Sequence, residues 1–214
     1  MLAALFHRER TGEGQCIDMA LLDVQVAMLA NMNTNYLASG KVPRRWGNAH
    51  PNLVPYQTFK ASDGWIIIAV GNDEQFRRFC EVGGRPELHA DARFRRVQDR
   101  IRNRELLVPL LAEMVAERSS RQWIDDLERA NVPCGPINDI AQVFENPQVK
   151  ARGLRIDIER EDAGPVKLVG SPIRLSATSV RCTLPPPRMG EHTTEVLRNL
   201  LGYSEQQIAE VSGG

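Results

Sequence analysis

The sequence predicts an α/β protein, because strand-like and helical segments both recur along its 214 residues. Two strand-like stretches, Tyr56–Phe59 and Trp65–Val70, are joined by a Ser-Asp-Gly turn and therefore predict a hairpin. A helical pattern follows, since Asn72 is a favourable N-cap residue with Gln75 three positions later. Residues after Arg152 again have the alternating pattern of strands. Helices and sheets are thus expected in one chain.

The first 48 residues are expected to form helices around one short strand. Strong helix formers, nearly all apolar, occupy Met1–Phe6. Gln15–Met19 alternates in polarity enough for a strand, and Leu21–Leu37 has the apolar spacing of a helix. The Asn-rich end of that helix leads into the glycine- and proline-rich stretch 40–51, which predicts a loop.

The middle of the chain has the pattern of packed helices. The first of them is expected to end at Gly83-Gly84. Arginines are dense in residues 91–104 and have acids among them, a mixture that favours a solvated surface over a phosphate clamp. Apolar stripes predict amphipathic helices over Leu106–Val115 and after Ser120, and Pro109 should kink the first or displace its start.

The last part of the sequence alternates in polarity and then becomes helical. Strands are expected at 154–159 and 166–176. Three consecutive prolines at 185–187 predict a stiff connector, and Thr193 is expected to cap a final helix.

Composition excludes several classes of function. Lys+Arg and Asp+Glu each number 27, so no net charge favours nucleic acid or an anionic membrane surface as a partner. No apolar run approaches the roughly 20 residues of a membrane span, and the N-terminal charge follows the apolar stretch, unlike that of a signal peptide. The four cysteines lie far apart without metal-ligand spacing, which indicates free thiols in a reducing compartment. We expect a cytoplasmic protein without a metal site.

The segment from Arg44 to Phe59 concentrates groups that can contact a ligand. It offers an imidazole at His50, a phenol at Tyr56 and the carboxamides of Asn48 and Asn52, and Gly47 allows the backbone to approach a ligand closely. The same pattern also occurs in ordinary surface connections. The residues alone leave both readings open.

Five stretches, in the same order, resemble the family III CoA-transferases, which include formyl-CoA and carnitine-CoA transferases and α-methylacyl-CoA racemases. They are LAALFHRERTGEGQCIDMALLD at 2–23, GNAHPNLVPYQTF at 47–59, DGWIIIAVGNDEQF at 63–76, VPCGPINDIAQVFENPQV at 132–149 and GEHTTEVL at 190–197. The resemblance covers nearly all of the chain but only the later part of the family's sequence. Family members are much longer, and their N-terminal half is expected to be missing here.

The resemblance implies the domain organisation. In this family a large Rossmann-like domain is built from both ends of the chain, and a small α+β domain lies between them. Residues 1–48 would be a helix, strand and linker left from the large domain, residues 49–140 the small domain, and residues 141–214 the segment that returns to the large domain. Family members form interlocked homodimers, so the same assembly is expected of the full-length protein.

The resemblance also implies the activity. Family members move CoA from an acyl-CoA thioester to a carboxylic acid through an aspartyl intermediate, and covalent relay of this kind divides one difficult transfer into easier steps. The nucleophilic aspartate is expected in the missing N-terminal half. The family's glycine loop corresponds to Gly47–Pro51. The sequence WGNAH at 46–50 differs from the run of glycines that formyl-CoA transferases have there. Acyl-CoA and a carboxylate acceptor are the expected substrates, with no permanently bound cofactor, and the candidate CoA-binding residues are Gly47, Asn48, Ala49, His50, Pro51 and Tyr56.

Two alternatives to a transferase remain open from the sequence. The first is an α-methylacyl-CoA racemase or epimerase, in which Glu74, at the start of its helix, would point into the active site; otherwise Glu74 complements the helix dipole. The second is a non-catalytic fragment or a split subunit that pairs with an N-terminal half. Cys134 lies between two prolines, but no base is identifiable near it, so the resemblance and the sequence both favour a structural role.

Overall fold

The computed structural model of the chain describes residues 1–212. It comprises two compact units, Met1–Pro136 and the segment from Ile137 onward. Helices and small antiparallel sheets occur together, so the predicted α/β class is confirmed. The first unit contains α1 (Leu2–Thr11), α2 (Leu21–Met28), α3 (Asn31–Ser39), β1 (Tyr56–Lys60), β2 (Trp65–Ala69), α4 (Asp73–Val82), α5 (Pro86–Ala90), α6 (Val97–Arg102), α7 (Arg104–Ala116), α8 (Ser120–Arg129) and β3 (Cys134–Pro136).

The sheet of the first unit is the predicted hairpin with one added strand. β1 and β2 are antiparallel, with Tyr56 opposite Ala69 and Lys60 opposite Trp65. β3 pairs with the other edge of β2, also antiparallel. β2 is therefore the central strand, and its alternate residues Ile66 and Ile68 are fully buried.

All buried residues of the core of the first unit lie between Val54 and Val132. α4 contributes Phe76, Phe79 and Cys80, because a spacing of three and four residues places side chains on one face of a helix. Helices α1, α2 and α3 contribute no buried residue. The buried side chains that complete the core include Phe59, Phe94, Leu107, Leu111, Met114, Trp123 and Leu127.

The turn of the hairpin lies against the junction between α7 and α8. The Ser62 amide donates to the Arg118 carbonyl at 3.0 Å, and the Asp63 carboxylate accepts from the Ser120 amide at 2.7 Å. These contacts satisfy backbone groups that helix ends leave without an intrahelical partner. Ser119 is the N-cap of α8 and forms a capping box with Gln122, one residue before the predicted cap at Ser120.

The predicted helix Leu21–Leu37 is broken into α2 and α3. Ala30, between them, has φ 46°, a left-handed conformation that interrupts a helix. The Asn33 side-chain amide donates to the Val26 carbonyl at 2.5 Å, and such a side-chain contact competes with the regular helical hydrogen bonds. The strand expected at Gln15–Met19 has no regular secondary structure.

The second unit contains α9 (Ile140–Glu145), α10 (Pro147–Ala151), β4 (Arg155–Arg160), β5 (Gly164–Val169), α11 (Thr193–Asn199) and α12 (Glu205–Ser212). β4 and β5 form a hairpin with Arg155 opposite Val169. β5 ends at Val169, well before the expected residue 176, and His192 precedes α11 as its N-cap in place of Thr193. Within residues 1–212, no helix is both long and apolar enough to cross a bilayer.

Candidate functional site

The six predicted binding residues all line one open cleft of about 450 Å³ in the first unit. We call residues 47–51 the GNAHP loop. The loop forms one wall of the cleft, and Tyr56 at the start of β1 lies beside it. Asn31 and Met32 of α3 and the side chains of Arg44 and Trp46 supply the other walls.

The GNAHP loop is tied to β1 by hydrogen bonds at both of its ends. The His50 amide donates to the Tyr56 carbonyl at 2.9 Å. The Asn48 carboxamide oxygen accepts from the Thr58 amide at 3.0 Å. Gly47 has φ 61°, a conformation that glycine adopts without strain. The sheet therefore fixes the position of the loop.

A nearly buried arginine holds the same loop from the side of the core. Arg104, at the start of α7, is 7% exposed. Its Nη2 donates to the carbonyls of His50 at 2.7 Å, Pro51 at 2.9 Å and Leu53 at 3.5 Å. Because these carbonyls face the guanidinium, the loop turns its negative dipole ends towards Arg104.

A second buried arginine continues this arrangement. Arg100 is fully buried, and its Nε donates to the Val54 carbonyl at 2.7 Å. Its Nη1 donates to the Phe94 and Arg95 carbonyls at 3.0 and 3.1 Å. Asp73 Oδ1 lies 2.9 Å from Arg100 Nη2. The geometry does not meet that of a hydrogen bond, so the two groups form an ion pair only. Burial lowers the pKa of both guanidinium groups, and both remain charged at neutral pH.

The expectation that residues 91–104 form a solvated surface is therefore wrong for two of the arginines. Arg100 and Arg104 are spaced four residues apart and continue the buried stripe of Leu107 and Leu111 at helical spacing. That shared periodicity is the signal in the sequence that identifies them. The expectation is correct for the exposed arginines of the segment, which are Arg93, Arg95, Arg96 and Arg102.

Trp46 contacts two guanidinium groups. Arg44 is 4.4 Å from the ring centroid and Arg104 is 4.5 Å from it, and each is a cation–π contact. Arg44 also pairs with Glu105 at 3.1 Å. The indole and its two cations brace the cleft at the side where Arg44 is partly exposed.

The His50 ring is held from two directions. Its Nδ1 accepts a hydrogen bond from the Asn52 amide at 3.1 Å. Its face stacks on Tyr56, with ring centroids 5.3 Å apart and planes inclined by 18°. The Asn52 side chain donates in turn to the Asn35 side chain of α3 at 3.2 Å. Both sides of the cleft are thus connected through the residues around His50.

Glu74 does not line this cleft and is engaged by two arginines of its own helix. Its carboxylate accepts from Arg77 at 2.6 and 2.9 Å and from Arg78 at 3.0 Å. Hydrogen bonds from these guanidinium groups lower the pKa of Glu74 to about 2. At neutral pH Glu74 is therefore an ionised group in the first turn of α4, where an acid complements the helix dipole.

Cys134 lies in β3 and is partly buried. Burial raises the pKa of its thiol above the ordinary value, and a protonated thiol is a poor nucleophile. Its Sγ donates to the Ile124 carbonyl at 3.9 Å. Across residues 1–212, no three His, Cys, Asp or Glu side chains are grouped so that they could hold a metal ion.

The sequence matches the family model for CoA-transferase family III over residues 1–193. It is 46% identical to the succinate–glutarate CoA-transferase of Agrobacterium fabrum, an alignment that covers 92% of this chain and 50% of the relative. It is 37% identical to the human succinyl-CoA:glutarate CoA-transferase, over 99% of this chain and 48% of the relative. The chain thus spans about half the length of the curated relatives it matches.

The fold leads to the same family. The crystal structure of a CaiB/BaiF family protein from Brucella suis superposes with a TM-score of 0.75 at 44% sequence identity. The superposition covers 93% of this chain and 51% of that structure. Sequence and fold agree with the resemblance carried by the five stretches, and the chain belongs to CoA-transferase family III.

Proposed function

We propose that this chain contributes the GNAHP-loop cleft to an acyl-CoA:carboxylate CoA-transferase. The observation that supports this most is that all six predicted binding residues line one cleft. The relatives to which this chain is similar are named for CoA transfer to dicarboxylic acids. By that likeness we propose succinyl-CoA and glutarate as substrates.

In this reaction the thioester bond of the donor is broken and one to the acceptor carboxylate is formed. A protein carboxylate attacks the donor carbonyl, which gives a mixed anhydride and the CoA thiolate. The thiolate attacks the protein carbonyl of that anhydride, releases the donor acid as a carboxylate and leaves CoA as a thioester on the protein. The acceptor carboxylate then attacks this thioester, and the released thiolate attacks the acceptor carbonyl of the second anhydride, which forms the product thioester and restores the protein carboxylate. The proposal assigns this nucleophile to the half of the relatives with which this chain does not align. The cleft of this chain binds the acyl-CoA.

The organisation implied by the family is part of the proposal. Residues 49–140 would be the small domain, residues 1–48 and 141–214 would belong to the large one, and two copies would interlock. The observations in support are that the core lies between Val54 and Val132 and that α1–α3 bury no side chain. A cytoplasmic location is supported by the four cysteines, none of which forms a disulfide.

The test combines this chain with the unmatched half of the Agrobacterium relative. Co-expressed and purified together, the two are expected to convert succinyl-CoA and glutarate into glutaryl-CoA and succinate, detected by liquid chromatography with mass spectrometry. Each half alone is the control, and the mass of the complex in the same sample reports whether it is dimeric. A stable complex without CoA exchange would refute the transferase, and deuterium uptake at the α-carbon of a 2-methylacyl-CoA would favour the racemase.

A further inference from the structure

The His50 side chain has one ring nitrogen occupied by the protein and one left free. Nδ1 accepts from the Asn52 amide at 3.1 Å. Nε2 has no hydrogen-bond partner among the residues the structure describes, and it is not among the buried unpaired atoms. Since His50 lines the cleft, Nε2 is accessible to a bound molecule.

This arrangement determines which nitrogen carries the proton of the neutral ring. A backbone amide can only donate, so the Nδ1 that faces the Asn52 amide is unprotonated. The proton of the neutral imidazole is therefore on Nε2, which makes Nε2 a hydrogen-bond donor.

The donor is also fixed in position before any ligand binds. Tyr56 stacks on the ring, the His50 amide donates to the Tyr56 carbonyl at 2.9 Å, and the His50 carbonyl accepts from Arg104 at 2.7 Å. A donor held in this way loses little conformational entropy when it binds an acceptor.

We infer that His50 donates its Nε2–H to the carbonyl oxygen of an acyl thioester bound in the cleft. The inference rests on the proposed function and adds a specific atom to it. A neutral N–H matches a neutral carbonyl, whereas phosphate and carboxylate groups are bound better by a charged guanidinium, which Arg44 supplies at another wall. His50 therefore distinguishes a thioester from a CoA derivative that has no carbonyl group.

Two substitutions separate this role from a purely structural one. His50→Asn keeps a side-chain acceptor near the position of Nδ1, so the Asn52 amide remains bonded, but it has no atom at the position of Nε2. His50→Gln places an amide N–H near the position of Nε2 and gives up the Nδ1 acceptor. A ligand-binding role predicts that glutamine substitutes for histidine, and a role confined to the loop predicts that asparagine does.

The measurement is isothermal titration of the full chain with acetyl-CoA and with S-ethyl-CoA, a thioether that lacks the carbonyl. The wild type and His50→Gln are expected to bind acetyl-CoA about three- to tenfold more tightly than S-ethyl-CoA, the effect of one neutral hydrogen bond. His50→Asn is expected to bind both ligands with the weaker affinity. A preference that survives in His50→Asn would overturn the inference and leave the proposed cleft intact.

A second measurement does not need a ligand. Nitrogen-15 NMR of the free chain, with His50→Gln to assign the signal, is expected to show the His50 ring protonated on Nε2 at pH 8. A ring protonated on Nδ1 would overturn the inference on its own. If the wild type bound neither ligand, the inference would fail, whereas CoA exchange by the two co-expressed halves would still decide the proposed function.

Discussion

Arg104→Met should loosen the GNAHP loop and destabilise the first unit. The substitution keeps an unbranched apolar side chain but leaves the carbonyls of His50, Pro51 and Leu53 without their donor. Two of these contacts are shorter than 3.0 Å, and hydrogen bonds from charged donors contribute about 1.5–3 kcal/mol each. The gross loss is therefore roughly 3–6 kcal/mol.

Part of that loss is offset by removal of a buried charge. Burial is the larger influence that disfavours the charged form of Arg104, and the like charge of Arg44 adds to it. Since an unpaired buried cation carries a desolvation penalty of several kcal/mol, we expect a net destabilisation of about 1–3 kcal/mol.

Urea unfolding monitored by tryptophan fluorescence measures this change. All three tryptophans lie in the first unit, so their signal reports that unit alone. Arg102→Met is the matched control, because Arg102 is two residues away, its side chain is 75% exposed, and its ion pair with Asp99 is long, at 3.7 Å. The control should change the free energy of unfolding by less than about 0.5 kcal/mol. Equal stability of the two variants would refute the idea that Arg104 supports the loop.

Two further predictions concern α4. Glu74→Gln should lower the melting temperature at pH 7. The difference from the wild type should shrink as the pH falls from about 4.5 to about 2, because the pKa of Glu74 is lowered in the folded protein and protonation of the carboxylate in that range removes its stabilising effect. A difference independent of pH would contradict the ion pair. Gly83→Ala should lower the free energy of unfolding, measured in urea, by about 1–3 kcal/mol, since the added Cβ would lie 2.3 Å from Met114 Sδ in the core. Gly64→Ala is the control, because a Cβ added there would have no atom within 4 Å.

Local patterns were sufficient to predict the hairpin and the helix after it. Alternation around a Ser-Asp-Gly turn predicts paired strands, and the structure forms them with Lys60 opposite Trp65. The Asn72 side chain accepts from the Gln75 amide at 2.8 Å, as the cap predicts. The Gln75 side chain, however, accepts from the Gly71 amide and not from that of Asn72, so the capping box is only half formed.

The cleft residues were predicted from the resemblance, but the side chains that hold them were not. Arg104 contacts carbonyls 51–54 positions earlier in the sequence, and Arg100 contacts one 46 positions earlier. The helical spacing of both arginines with Leu107 and Leu111 indicates burial, but no local pattern indicates which distant carbonyls they bind, and a dense run of arginines is usually solvated. The break at Ala30 was also missed, because the apolar spacing of Leu21–Leu37 does not indicate the positive φ of Ala30 or the contact of the Asn33 side chain with the Val26 carbonyl.

The hairpin turn illustrates how exposure and tolerance to change can differ. Ser62 and Asp63 are exposed, and exposed turns ordinarily accept inserted sequence. Here the same two residues bind the Arg118 carbonyl and the Ser120 amide, so the turn also closes the ends of two helices. An affinity tag or fluorescent label placed in this turn would separate those helix ends from their partners, and the turn is therefore an unsuitable insertion point despite its accessibility.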